Sequence, residues 1–361
     1  MHKFYSHSKL KYFCQKSYNV EDFLSRVLYF AEKGYPLPVA YKKAKEVSRS
    51  VKDSYELARR LILSYYSLSG KSYRKKVREF LQKGVRIVLP EWFERELDGI
   101  YDIEKLKDSF LDRVIWIRVN TLKADEDKVI KSLENEGIIL EKDKDIPYAY
   151  KVVKGDIRST TEFKEFKVII QDKASMAVIE ALKPEKGELI FDMASAPGIK
   201  ASLIMALTDN QSELVVSDVD RERLHKEIKF LHDVGVNMDK VHIIHQDSTS
   251  SSVIKADKVL LDAPCSSTGM ISNEPTVLLK LTKQRVNELS ELQKNLLNKA
   301  LSISSYVIYA TCSLLPQEGE YIVKEFNAKP PLSFASSNSL GNRFIPYLHQ
   351  SEGFFISKVS G

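Results

Sequence analysis

Cysteine is scarce in this chain: Cys14, Cys265 and Cys312 are the only three in 361 residues. An odd, sparse set argues against a disulfide framework, and too few thiols cluster to make a structural zinc site. No run of 18 apolar residues occurs, so no membrane span is expected. The opening residues, Met1-His2-Lys3-Phe4-Tyr5, lack an apolar signal region, so a cytoplasmic protein is expected. Internal repeats and low-complexity tracts are missing as well.

Charge, by contrast, is present and unevenly spread. The net formal charge is +6, but residues 1–100 hold 21 Lys and Arg against 11 Asp and Glu, and the remainder holds 34 against 38. A basic N-terminal third on a slightly acidic remainder points to a polyanion-binding module joined to an enzyme. A merely soluble, charged helical domain is the alternative. Hydrophobic residues make up 43% of the chain, enough for real cores. The length suggests two or three domains.

Residues 1–101 read as a helical bundle, with helical spacing over Val20–Ala31, Pro38–Val47, Ser54–Ser67, Tyr73–Lys83 and Glu91–Leu97. Residues 102–158 read as a small α+β insert, with short strands near Val114–Asn120, Ile138–Leu140 and Tyr150–Val153. Residues 159–361 alternate strand and helix. The strands are Phe166–Ile170, Leu189–Asp192, Glu213–Asp218, Val241–Gln246, Lys258–Asp262 and Tyr306–Ala310. A last strand is expected near Glu352–Ile356. Such alternation predicts a mostly parallel, doubly wound α/β sheet.

Three of these strands end in chemistry-bearing loops: Asp192-Met193-Ala194-Ser195-Ala196-Pro197-Gly198, Asp262-Ala263-Pro264-Cys265-Ser266 and Thr311-Cys312-Ser313. Ligands of open α/β sheets bind outside the carboxyl ends of the strands, so the three loops suggest one shared site. The first loop is neither G-x-G-x-x-G nor a phosphate loop. Its small residues would bring backbone N–H groups close to a ligand. Asp218 ends the next strand, where a carboxylate can accept both hydroxyls of a ribose, or can simply cap the helix from Arg221. Asp247 ends the strand after that and could meet a base edge. The crevice thus suits a nucleoside-bearing cofactor without a pyrophosphate. Cys265 and Cys312 fit a thiol chemistry, although a buried free cysteine is commonly inert.

Taken in order, these three loops, with Gly269, resemble the RNA cytosine-5 methyltransferase family over residues 110–361. Arg118-Val119-Asn120-Thr121, Gln171-Asp172, Gln293, Glu318 and Gly353-Phe354-Phe355 add to the resemblance. The N-terminal bundle, with Gly34-Tyr35-Pro36-Leu37 and Ala58-Arg59-Arg60-Leu61, is similar to the NusB-like RNA-binding domain of ribosomal RNA members. The resemblance implies a Rossmann-like S-adenosylmethionine-dependent methyltransferase fold, with a small α+β RNA-recognition insert and an N-terminal all-helical RNA-binding bundle. It implies Cys312 as the nucleophile on cytosine C6, Cys265 as the residue assisting its release, and Asp262 as the partner of base N3. Lys200 would lie near the base and favour the Cys312 thiolate, or would be a solvated helix residue. Ala194, Ser195, Ala196, Pro197, Gly198, Ile199 and Lys200 would line the cofactor, with Asp218, Asp247 and Asp262. Arg223 would position Asp218 or stand on the surface.

The expected partner is RNA, ribosomal or transfer, with no metal, no membrane and a monomeric chain. A non-catalytic RNA-binding protein with a vestigial fold is the alternative. The sequence departs from the family pattern at Ala194, Ser195, Ile199 and Ala201, and at Lys173, where an acidic residue is usual. An isoleucine at 199 lacks glycine's freedom at positive φ, which bears on the loop's geometry.

Overall fold

The computed structural model describes residues 17–48 and 54–361. Cys14 and the opening pentapeptide lie outside the described residues. The chain divides into two compact units. One comprises the residues up to Arg113 together with Met270–Thr282, and the other comprises Val114–Gly269 and Lys283–Gly361. Helices of seven residues or more are numbered below.

The first unit contains α1 (Ser17–Glu32), α2 (Leu37–Val47), α3 (Ser54–Leu63), α4 (Tyr73–Lys83), α5 (Glu91–Leu97) and α6 (Ile103–Ser109). The expected helix over 54–67 stops at Leu63 and continues as a 3-10 turn, Tyr65–Ser67. The apolar stripes of α1 to α4 meet in one core that includes Phe23, Leu28, Ala40, Leu61 and Phe80. Beyond the expected boundary at 101 the unit gains α6, capped by Asp102, and the detached segment 270–282.

That segment is bound by backbone-directed hydrogen bonds. The Glu274 carboxylate accepts the first amide of α2, Leu37 N–H, through both oxygens at 3.0 Å, filling an orphan donor with a charge suited to a helix N-terminus. The Tyr66 hydroxyl donates to Leu278 O at 3.0 Å. Arg59, fully buried, donates to Ser272 O at 2.6 Å, Phe110 O at 2.8 Å and Leu111 O at 2.6 Å. Its charge is met by Glu56 at 2.7 Å. One guanidinium therefore satisfies three carbonyls that no helix or sheet serves.

The second unit holds two sheets. The small one has order β2-β3-β1-β4, formed by β1 (Trp116–Val119), β2 (Ile139–Lys142), β3 (Ala149–Lys154) and β4 (Val168–Ile170). All its pairs are antiparallel, and α7 (Glu126–Asn135) packs Val129 and Leu133 against Ile117, Val119 and Val168. The sequence placed Phe166–Ile170 in the large sheet and closed the insert at 158. The structure corrects both: β4 pairs with β1 instead, because Val168 completes the core of the small sheet.

The large sheet is built from β5 (Leu189–Asp192), β6 (Glu213–Asp218), β7 (Val241–His245), β8 (Lys258–Asp262), β9 (Val307–Thr311), β10 (Asn327–Lys329), β11 (Ser336–Ser337), β12 (Asn342–Phe344) and β13 (Phe354–Ser360). Its order is β11-β12-β13-β9-β8-β5-β6-β7, with β10 against β13. Strands β5 to β9 run parallel, and β13 runs antiparallel to β9. Helices α8 (Lys173–Leu182), α9 (Ile199–Leu207), α10 (Arg221–Asp233) and α11 (Lys283–Ile303) complete the crossovers and flanks.

Both faces of the parallel strands are covered, as parallel sheets require. Alternate residues divide between two cores: Ile190, Val216, Leu260 and Ile308 face α8 and α9, and Phe191, Val215, Leu261 and Tyr309 face α11. The expected Rossmann-like α/β sheet is present. Strand order reverses at β5, where β6 and β8 lie on opposite sides, and a crevice at such a switch point is the general ligand position.

Arg59→Ala leaves three buried carbonyls without a donor. It is expected to destabilise the protein by about 3–5 kcal/mol, the cost of breaking a buried charged network. Equilibrium denaturant unfolding measures this, and a loss near zero would show the carbonyls to be satisfied otherwise.

Candidate active site

Four strand ends converge. Asp192 ends β5, Asp218 ends β6, Asp262 ends β8 and Thr311 ends β9. The register sets Asp262 beside Ala310 and Asp192 beside Leu260, so the two cysteine loops leave adjacent strands. The Cys265 and Cys312 sulfurs lie 3.1 Å apart. Both cysteines are free and half-buried, and Cys312 Sγ is 3.6 Å from the Ser267 hydroxyl.

Glu318 holds the two loops together. Its buried carboxylate accepts Ser266 N–H at 2.8 Å from the first loop and the Ser313 hydroxyl at 2.6 Å from the second. The Ser266 hydroxyl binds it too. Gln293 of α11 donates to Glu318 at 3.2 Å and to Pro264 O at 2.9 Å. The Glu318 carbonyl accepts from Tyr309 at 2.8 Å and Thr311 at 3.0 Å. Further along, Gly269 N–H donates to Cys312 O at 2.9 Å and Gly353 N–H to Gly269 O at 3.0 Å. A Cβ on Gly269 would lie 1.9 Å from Gly353 O, so only glycine permits this approach.

Lys200 is not a solvated helix residue. Its ammonium sits 2.6 Å from Asp262 Oδ2, and 5.6 Å from the centroid of Phe354. Burial opposes its charge, but Asp262, then Asp192 and Cys312, hold the ammonium above the ordinary lysine value. The Cys265 thiol is pushed well up, first by its hydrogen bond with Cys312, then by burial and by the negative charge of Glu318. Cys265 therefore keeps its proton at neutral pH.

On the other side of β5, Ala194–Gly198 folds over the strand end. Gly198, at φ +93°, caps α9. Ile199 is the first residue of that helix and is not among the positive-φ residues. Its side chain packs against the core shared with Ala201 and Ile204. Asp220, not Asp218, caps α10: its side chain accepts Glu222 and Arg223 N–H. Asp218 is buried and pairs with Arg223 at 3.3 Å. Arg223 also donates to Ala196 O, so it links Asp218 to the loop. Asp247 is exposed and caps the turn Ser248–Ser250 through Thr249 N–H at 2.9 Å.

Lys173 finds a role here. It is buried against Asp143 at 2.6 Å and Asp145 at 3.4 Å, with Trp116 5.5 Å away, and it ties the β2–β3 hairpin to the start of α8. Arg118 bonds Gln171 at 2.7 Å and Ser202 at 2.7 Å, supporting the first turn of α9.

Sequence reasoning missed Glu227. It is fully buried on α10 and meets the Ser195 hydroxyl at 2.8 Å. The signal was available: Leu224, Glu227 and Leu231 form the buried stripe of α10, and an acid interrupting an apolar stripe requires a partner.

The residues fit a nucleoside-bearing, cationic ligand. Asp192 is buried with both carboxylate oxygens lacking a hydrogen-bond partner. Asp218 offers a carboxylate at the ribose position of such folds, and the loop is too close to Glu227 for a side chain at 198: a Cβ there would lie 2.9 Å from Glu227 Cγ. Among the described residues no group of three or more His, Cys, Asp or Glu is placed to hold a metal, and no helix is long and apolar enough to cross a membrane.

A family model described as 16S rRNA methyltransferase RsmB/F matches residues 179–360. A 28S rRNA (cytosine-C(5))-methyltransferase of Mus musculus is 31% identical over 291 residues, covering 71% of this chain and 36% of the relative. Ribosomal RNA small subunit methyltransferase B of Cronobacter sakazakii is 30% identical over 254 residues, covering 68% of this chain and 59% of the relative. The chain therefore spans less than two thirds of the length of either relative. The crystal structure of PH0851 matches with a TM-score of 0.80 at 23% identity, over 95% of this chain and 98% of that one, which shows a shared fold.

Removing the Glu318 side chain takes the acceptor from Ser266 N–H and one partner each from the Ser313 hydroxyl and Gln293. Glu318→Ala is expected to cost about 3 kcal/mol, from roughly 1–3 kcal/mol per unpaired group, and to speed modification of the cysteines by a thiol reagent. Unchanged stability and unchanged thiol reactivity would mean that the carboxylate does not hold the loops.

Proposed function

Because the chain belongs to the 16S rRNA methyltransferase RsmB/F family, we propose that it methylates C5 of a cytosine in RNA, using S-adenosylmethionine and a covalent bond from Cys312 to C6 of the base. The observation that carries this reading is the pair of cysteines 3.1 Å apart, at the ends of adjacent parallel strands and beside Asp262 and Lys200. Methyl transfer to an amine or hydroxyl needs no thiol, and cytosine C5 does.

Cytosine C5 is a poor nucleophile. Addition of the Cys312 thiolate to C6 saturates the C5–C6 bond and moves electron density onto C5. The Asp262 carboxyl, oriented by the Lys200 ammonium at 2.6 Å, is the group we assign to N3; in its protonated form it donates to N3 and supports the negative charge that addition develops there. S-adenosylmethionine, when bound, supplies an electrophilic methyl group. Ala194 to Lys200, Asp218, Asp247 and Asp262 would hold it, with Arg223 bracing Asp218. Afterwards the C5 proton is lost and the C6–S bond breaks, returning the electron pair to Cys312. Cys265 is suited to assist this release, because its thiol keeps its proton next to the departing sulfur.

The base must leave any stack for a thiolate to reach C6 from its face, so looped or single-stranded RNA is the substrate form. The names of the relatives support ribosomal RNA. The first unit, with residues 1–101, is assigned as the NusB-like RNA-binding domain: its Lys and Arg excess suits phosphate contacts, which fix position without reading sequence. The small sheet, β1 to β4 with α7, is assigned to RNA recognition.

Cys312→Ala is expected to abolish transfer of labelled methyl groups to RNA. Cys265→Ala is expected to accumulate a nuclease-sensitive, slow-migrating covalent complex on denaturing gels with S-adenosylmethionine and total RNA. A Cys265→Ala protein that turns over normally and never traps RNA overturns the assignment of the two cysteines.

A further inference from the structure

Glu227 sits under the loop that the methyltransferase reading assigns to the cofactor, and its hydrogen bonds decide its protonation state. The Ser195 hydroxyl lies 2.8 Å from Glu227 Oε2 and 3.3 Å from Ser217 O. A hydroxyl has one hydrogen. If Glu227 is ionised, it takes that hydrogen and Ser217 O loses it. If Glu227 is protonated, it donates to Ser195 Oγ and the Ser195 hydroxyl donates to Ser217 O, which leaves the relay satisfied. Ser217 O also accepts Ser195 N–H at 3.0 Å, and Ser195 O accepts Gly198 N–H at 2.8 Å, so the relay runs directly into the turn that caps α9.

The second Glu227 oxygen, Oε1, is buried without a partner. An orphan oxygen costs less as a neutral acid's carbonyl than as part of a carboxylate. Asp192 from β5 and Asp218 from β6 face Glu227, and Arg223, one turn earlier on α10, is the cation near it. Asp218 already engages that arginine.

We propose that Glu227 is a positioning residue that acts in its protonated form and, through Ser195, fixes the Ala194–Gly198 loop in its cofactor-binding shape. This rests on the S-adenosylmethionine reading and adds a pH dependence to it. Burial pushes the Glu227 carboxyl up to about 7 and Asp218 adds to the shift, against the opposing effects of Ser195 and Arg223. The folded value lies above that of the unfolded chain. The stability Glu227 contributes is thus fully present below the unfolded value, near 4.5, and is lost as pH rises through about 7. Ionisation breaks the relay and sets a negative charge against Asp218.

The test is calorimetric binding of S-adenosylmethionine alone to wild type, Glu227→Gln and Ser195→Ala between about pH 6 and about pH 8.5. The ligand's own amino group titrates near 7.7–8.0 and affects every protein alike, so the readout is the difference between wild type and variant. Glutamine imitates the protonated acid and can donate to Ser195. Glu227→Gln is therefore expected to match wild type within about twofold at pH 6 and to bind about fivefold more tightly than wild type at pH 8.5, a modest coupling. Ser195→Ala is expected to bind more weakly than wild type at pH 6. Parallel pH profiles for wild type and Glu227→Gln overturn the proposal. So does a Glu227→Gln protein that fails to fold or loses affinity tenfold at pH 6, since either outcome requires the carboxylate. Wild type that binds no cofactor at any pH overturns the cofactor reading itself, and this inference with it.

Discussion

The Glu318 carboxylate is the interaction on which the active-site geometry depends. Two loops from neighbouring strands each carry a cysteine, and nothing in a parallel sheet fixes the relative height of two loops beyond its edge. A single buried carboxylate that accepts Ser266 N–H from one loop and the Ser313 hydroxyl from the other fixes it. Charge-assisted bonds are short and strong in a dry site, and Gln293 locks the acceptor from α11. The glycine pair 269 and 353 then closes the floor, since no side chain fits between their backbones. Reactive sulfurs are placed by groups that do no chemistry of their own.

Most of the large sheet was legible because its strands are short apolar runs at regular intervals, and each ends in a residue with a task. Asp192, Asp218, Asp262 and Thr311 stand where the runs stop, so the convergence of the site followed from the fold class alone. Other features depend on tertiary partners and leave weak local traces. Val168–Ile170 is as apolar as any strand of the large sheet, and only its antiparallel pairing with β1 assigns it to the small one. Arg59 reads as one more basic helix residue. Its burial comes from carbonyls more than 50 positions away in sequence. Likewise the attachment of Met270–Thr282 to the helical unit has no periodic signal, because it is made by Glu274 at the end of α2 and by backbone carbonyls.

The electrostatics of the site follow from crowding several carboxyls into one low-dielectric volume. Asp192, pushed well up by burial and then by Glu227 and Asp262, and Glu227, pushed up to about 7, hold protons more readily than exposed acids do. Asp262 faces Lys200 and Asp218 faces Arg223. The two carboxyls without an ion-pair partner are the ones that burial pushes toward the neutral form. This division is what a site for a cationic cofactor requires. Fully ionised, four acids would repel one another and distort the loop; all neutral, they would not orient a sulfonium-bearing ligand.

The departures from the family pattern bear on whether the site is intact. A decaying site loses partners, leaving polar groups stranded and loops unsupported. Here four of the five departures carry a local answer, and nothing in the structure explains Ala194. Lys173, in place of an acid, is neutralised by Asp143 and Asp145. Ser195 brings a hydroxyl into a tight turn and finds Glu227 and Ser217 O. Ile199 and Ala201 fill the core beneath α9, and the positive φ that the turn demands falls on Gly198, one position before the isoleucine. Each of these substitutions meets a partner in the fold, so the loop keeps its supports.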